Sequence, residues 1–309
     1  MKGWLNKTGA GFLRTKNGMR TEFRIFMFFV LFVFLDILFT FFEYVFFSVY
    51  ILNHEQPSFH LIEILKSNIL LEMYLNKIPE FISVLVSTKI MLWLEGESFL
   101  TFLGGINRIR LMLWGCGWGG CLAIMSFFLP FIIGCDQLSY GNIKVDSIIQ
   151  IIPVGVILFL MVSFDEELMF RGYLFKKLKI KIGFWSTAIF TSILFSLYHI
   201  PVFHENFIAL IFTFGFGVLL SCGLRLTQTI WWTIGFHSAY DFFVSFSSKK
   251  VGVPAILGDF FTFVPHRKIP FFASFDEIIL LALEILAIFL IFCLGKTKQS
   301  KNIKSDQQL

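Results

Sequence analysis

The 309 residues are 56% hydrophobic and 18% aromatic, with only 15% charged and a mean hydropathy of +0.77. Soluble domains carry roughly a quarter charged residues, and this much apolar surface in water favours aggregation, so the composition excludes an ordinary water-soluble globule. The net charge of +5 is gathered beside apolar runs, which points to a membrane rather than to nucleic acid.

In chain order, residues 1–25 form a basic N-terminus in which Lys2, Lys7, Arg14, Lys16, Arg20 and Arg24 are opposed only by Glu22. The apolar run 26–52 follows. It is longer than the ~7–15 residues of a signal-peptide core and no small-residue cleavage site comes after it, so it is predicted to remain as a membrane span. Segment 53–80 mixes Glu55, Glu63, Lys66, Glu72, Lys77 and Glu80 with apolar residues, and reads as an amphipathic helix or pair on the outer side or as a solvated connector. The run 81–94 is short and contains Lys89; a full span and a half-buried helix both fit it. Further apolar runs cover 111–134, 147–164, 184–200, 207–222, 229–246 and 277–294.

About eight such stretches predict an all-α fold, a polytopic membrane helical bundle. One transmembrane domain would cover 26–294, with a catalytic core at 147–246. Residues 295–309 form a polar basic tail with Lys296, Lys298, Lys301 and Lys304. Both termini are expected in the cytoplasm, together with Arg108, Arg110, Lys176, Lys177, Lys179, Lys181 and Arg225. The loop 247–276, with Lys249, Lys250, Arg267 and Lys268, departs from that charge rule. The cysteines Cys116, Cys121, Cys135, Cys222 and Cys293 have no metal-binding spacing and no regular framework. The Phe-, Ile- and Lys-rich composition points to a bacterial cell membrane.

Ionisable groups inside spans cost about 2.5–3.5 kcal/mol or more, so they face a bundle interior or water and mark function. The sequence contains few. Asp165, Glu166 and Glu167 are followed by Arg171, which lies at i+4 from Glu167 in the favourable order for a helix pair. Glu166, about 100° further round, can face a different neighbour. His199 ends the run FSLYH, and His237 and Asp241 share a helix face at i, i+4. If the chain turns at 179–183, Glu166 and His199 lie ~18 and ~22 Å from that turn, with His237 and Asp241 ~12–18 Å from the same side. A carboxylate beside two imidazoles can act as general base on water, with the imidazoles donating to an oxyanion. Alternatively, Glu166, His199 and His237 form a three-ligand zinc site, although the H-E-x-x-H spacing is absent. Taken singly, the Glu167–Arg171 and His237–Asp241 pairs also read as structural ties. A proton relay in a transporter is a third reading, without the discontinuous-helix repeat expected of one.

Three motifs carry a resemblance. EELMFRG at 166–172 resembles the E-E-x-x-x-R motif of the CAAX prenyl endopeptidase and bacteriocin-processing (CPBP, or Abi) family. Phe195-x-x-x-His199 is similar to its F-x-x-x-H motif, and His237-x-x-x-Asp241 to its H-x-x-x-N/D motif, all in family order within 147–246. The resemblance implies an integral membrane endopeptidase acting on a peptide or protein substrate, lipidated or not. It assigns water activation to Glu166 with His199, the oxyanion side to His237 and Asp241, and supporting roles to Glu167 and Arg171. Members have been described both as metalloproteases and as glutamate-dependent proteases that need no metal, so the cofactor stays open between none and zinc. Asp241 stands where Asn is commoner in the family, and an ionised Asp only accepts hydrogen bonds. Bacterial members implicated in bacteriocin self-immunity supply the alternative, a non-catalytic membrane protein or scaffold of the same fold.

Overall fold

The computed structural model describes residues 14–15, 18–53, 69–105, 108–133, 136–140, 145–203, 207–245, 261–265, 279 and 281–291. They form an all-α membrane bundle. Its helices are α1 (Thr21–Asn53), α2 (Ile69–Glu95), the short α3 (Phe99–Phe102), α4 (Arg110–Ile132) and α5 (Val145–Glu167). A π-helical segment, Leu168–Leu174, leads into α6 (Phe175–Tyr198), and the short α7 (Ile200–Phe203), α8 (Phe207–Thr227) and α9 (Ile230–Val244) follow. The apolar helix α10 covers Leu281–Ile291. Thr21–Phe46 of α1, together with α4 and α8, is long and apolar enough to cross a membrane. α1 bears this out in its surface: Phe26, Phe34, Ile37, Phe41, Phe42 and Phe46 are all exposed, as suits a helix bathed in lipid.

α9 is the centre of the packing, lying chiefly against α4 and then against α5; α6 pairs with α8, and α1 with α2. The close approach of α4 to α9 comes from small residues. A Cβ placed on Gly115 would strike the Trp232 carbonyl, one on Gly119 the Phe236 carbonyl, and one on Gly235 the Met112 carbonyl. Gly115-x-x-x-Gly119 therefore lets two backbones touch, the arrangement by which membrane helices gain van der Waals contact where no hydrophobic driving force acts between them. The contacts advance together along both helices, so α4 and α9 run parallel. Thr229 caps α9, its hydroxyl accepting from Trp231 N–H and donating to the Leu103 carbonyl.

Two small antiparallel ladders are present: β1 (Arg14–Thr15) with β2 (Gly18–Met19), and β3 (Asp136–Tyr140) with β4 (Phe261–Pro265). The second ties the connection after α4 to the loop after α9, at the end of the bundle where these parallel helices finish. The strand pairing was not expected from a helical reading of the chain.

Elsewhere the helices depart from the expected limits. The short run 81–94 is the C-terminal part of α2, which begins at Ile69 and continues through Pro79. Its buried face, Ser83, Val84, Ser87, Thr88 and Met91, follows helical spacing, and the Ser83 hydroxyl donates to the Pro79 carbonyl. The expected turn at 179–183 is present as a break in α6 at Gly183, where φ is 76°. Residues 54–68, His204 and His266 lie outside the described residues.

Candidate active site

Glu166 and Glu167 close α5, Arg171 lies in the π-helical segment, His199 caps α6, and His237 and Asp241 sit on successive turns of α9. The six side chains meet. Glu166 Oε2 is 3.7 Å from His199 Nε2 and 3.8 Å from His237 Nε2. Arg171 Nη1 donates to Glu167 Oε1 at 3.0 Å, and His237 Nδ1 lies 3.1 Å from that same oxygen. His237 Nε2 stands 3.2 Å from Asp241 Oδ2. Glu167 and Arg171 are fully buried, whereas the His199 and Asp241 side chains retain 17% of their exposure, so the site opens on their side.

The local sequence explains the arrangement. Consecutive helical residues point about 100° apart, so Glu167 turns inward to Arg171 while Glu166 faces the gap between α2, α6 and α9. The widened π turn begins immediately after this pair, a distortion often found at functional sites. Phe195 packs three of the groups at once: its ring centroid is 4.2 Å from the Arg171 guanidinium, 4.6 Å from the His199 ring and 5.9 Å from the His237 ring. One turn on, His199 Nδ1 meets the Phe195 carbonyl at 2.8 Å. A carbonyl only accepts, so Nδ1 carries the proton and Nε2 is turned toward Glu166.

His237 has a different environment. Both of its nitrogens face carboxylates, Glu167 at Nδ1 and Asp241 at Nε2. Ionised carboxylates only accept, and an imidazolium satisfies both at once. A zinc site built from Glu166, His199 and His237 would need a lone pair on one nitrogen of each ring. A carboxylate such as Glu167 at Nδ1 is the partner that metal-bound histidines ordinarily keep, so His237 would serve such a site only as a neutral ring with its Nε2 lone pair turned from Asp241 to the metal. No cluster of three His, Cys, Asp or Glu side chains suited to a metal ion occurs among the described residues.

Four neighbours of the site were given no role from the sequence, although Asp165 stood in the acidic cluster. Glu166 N–H donates to Asp165 Oδ1 at 2.7 Å. Lys77 Nζ lies 3.6 Å from Glu166 Oε1 and 2.7 Å from Glu80 Oε2, and the Tyr198 hydroxyl donates to Glu80 Oε1. The signal for Lys77 and Glu80 was available: they continue, at helical spacing, the stripe that runs on through Ser83, Ser87 and Met91.

An all-helical membrane protein with a buried Glu, His and Arg cluster near an opening is the class that fold and site define. Residues 148–243 match the model of the family described as type II CAAX prenyl endopeptidase Rce1-like. That stretch is about a third of the chain and contains all six side chains. The likeness supports a CAAX-type membrane protease at the level of the family. No curated protein matches the chain.

Proposed function

We propose that the protein is a multi-pass membrane endopeptidase in which Glu166 activates a water molecule against a peptide bond of a membrane-associated substrate. The observation that carries this reading is the convergence of the His199 and His237 Nε2 atoms on one Glu166 oxygen, at 3.7 and 3.8 Å. These separations exceed direct hydrogen bonds, and groups so spaced around a small opening suit a bridging water.

Glu166 takes the proton of the attacking water as the oxygen adds to the scissile carbonyl, and delivers it to the leaving nitrogen as the C–N bond breaks. His199, with Nδ1–H held by the Phe195 carbonyl, presents Nε2 to the water and orients it. His237, charged between Glu167 and Asp241, supplies positive potential where the tetrahedral oxyanion forms. Arg171 compensates the Glu167 charge and leaves Glu166 as the reactive carboxylate. The residues thus fit a glutamate-type mechanism, in which no step requires a metal.

The experiment is hydrolysis of a membrane-tethered peptide by purified protein in liposomes, compared with a variant carrying Glu166→Gln, His199→Ala and His237→Ala together. The wild type is expected to cleave and the folded triple variant to fall to background. Equal cleavage by both would refute the proposal, and binding of the peptide without cleavage by either would favour the non-catalytic reading.

A further inference from the structure

The part of the chain outside residues 148–243 also reaches the site. α2 packs against α5 and sets Lys77 beside the catalytic candidate. The two oxygens of Glu166 have opposite surroundings: Oε1 is 3.6 Å from the Lys77 ammonium, and Oε2 faces the two imidazoles. Lys77 is itself held. Glu80, one turn along α2, accepts from Nζ at 2.7 Å, and Tyr198, immediately before His199, donates to the other Glu80 oxygen.

The terminal carboxylate torsion of a glutamate is broad and soft, so burial alone does not decide which oxygen meets the substrate water. An ammonium on one oxygen does. Lysine suits the place because its compact charge carries three donors and can bridge two carboxylates. We infer that Lys77 is a positioning residue for peptide hydrolysis: its ammonium pins Glu166 Oε1, which turns Oε2 toward His199 and His237, while Glu80 and Tyr198 pin Lys77. The inference rests on the reading of Glu166 as the base.

The test uses the full chain in liposomes with Lys77→Met, Lys77→Gln, Lys77→Arg and Glu166→Gln. Misplacing a reacting group by about 1 Å can cost on the order of 100-fold, so Lys77→Met should lower kcat about 10- to 100-fold with KM within about twofold. Lys77→Arg should recover most of that loss. Lys77→Gln keeps a polar stem and serves if the methionine variant does not fold. Wild-type kcat without the ammonium would overturn the inference, as would a loss that folded Lys77→Arg fails to recover.

A second arm does not depend on turnover. In a double-variant cycle of thermal unfolding, Lys77→Met should shift the midpoint less when Glu166→Gln is already present. Additive shifts would overturn the contact. Non-additive shifts together with wild-type cleavage by Glu166→Gln would refute the base assignment and reduce Lys77 to a tie between α2 and α5, which also overturns a positioning role.

Discussion

The Phe195 ring lies between the Arg171 guanidinium and two imidazoles, and its own carbonyl fixes the proton on His199 Nδ1. Phe195→Leu keeps the carbonyl and removes the aromatic face. A desolvated cation–π contact contributes about 2 kcal/mol, so the variant should unfold at lower temperature by a corresponding amount and cleave more slowly as Arg171 and His199 relax. Asp241 is the second residue to vary. An asparagine amide oxygen still accepts from His237 Nε2–H, so Asp241→Asn should retain cleavage within about threefold. Asp241→Leu leaves a buried donor unpaired, at about 1–3 kcal/mol, which corresponds to a loss of roughly 5- to 150-fold. Steady-state cleavage rates of the two variants check this pair. The ordered motifs were legible at this scale because each is local. Lys77 showed only as part of a helical stripe, since nothing in a single sequence says how deep a charged helix residue sits relative to a carboxylate on a distant helix.

α9 carries His237 and Asp241, and its position is set by the glycines of α4. Gly115 and Gly119 abut the Trp232 and Phe236 carbonyls, while Gly117 has open space where its Cβ would be. Gly119→Val forces the helices apart and should cost about 1–3 kcal/mol or more, visible as a lower unfolding midpoint and reduced folded yield in detergent. Gly117→Ala should leave both unchanged. The helices themselves were largely legible from apolar run length, which is why α1, α4 and α8 fall close to their expected places. The G-x-x-x-G spacing was also in plain view, but its partner was not, because an interface between distant helices leaves no mark on the spacing of either. The π-helical segment is a further case: LMFRGYL reads as ordinary helix, and nothing in its spacing marks the wider turn.

At the scale of the whole molecule, the β3–β4 ladder brings the connection after α4 and the loop after α9 to one end of the bundle. Parallel α4 and α9 lead to that end, as the alternation of the expected spans requires, although the basic residues of the loop 247–276 depart from the charge rule. With the termini in the cytoplasm, a membrane-impermeant thiol reagent added to intact cells should label Ser139→Cys and spare Lys179→Cys, in a chain whose five native cysteines are replaced by serine. Labelling of position 179 alone would invert the topology. The proposed chemistry depends on one carboxylate, brought by α5 into a gap that α2, α6 and α9 complete. Its most direct test is the rate at which Glu166→Gln cleaves a membrane-tethered peptide, measured beside wild type in the same bilayers with folding verified for both. General-base catalysis contributes about 100- to 10,000-fold. A loss in that range is expected, with the variant as folded and inserted as wild type; cleavage by folded Glu166→Gln at the wild-type rate would contradict Glu166 as the base.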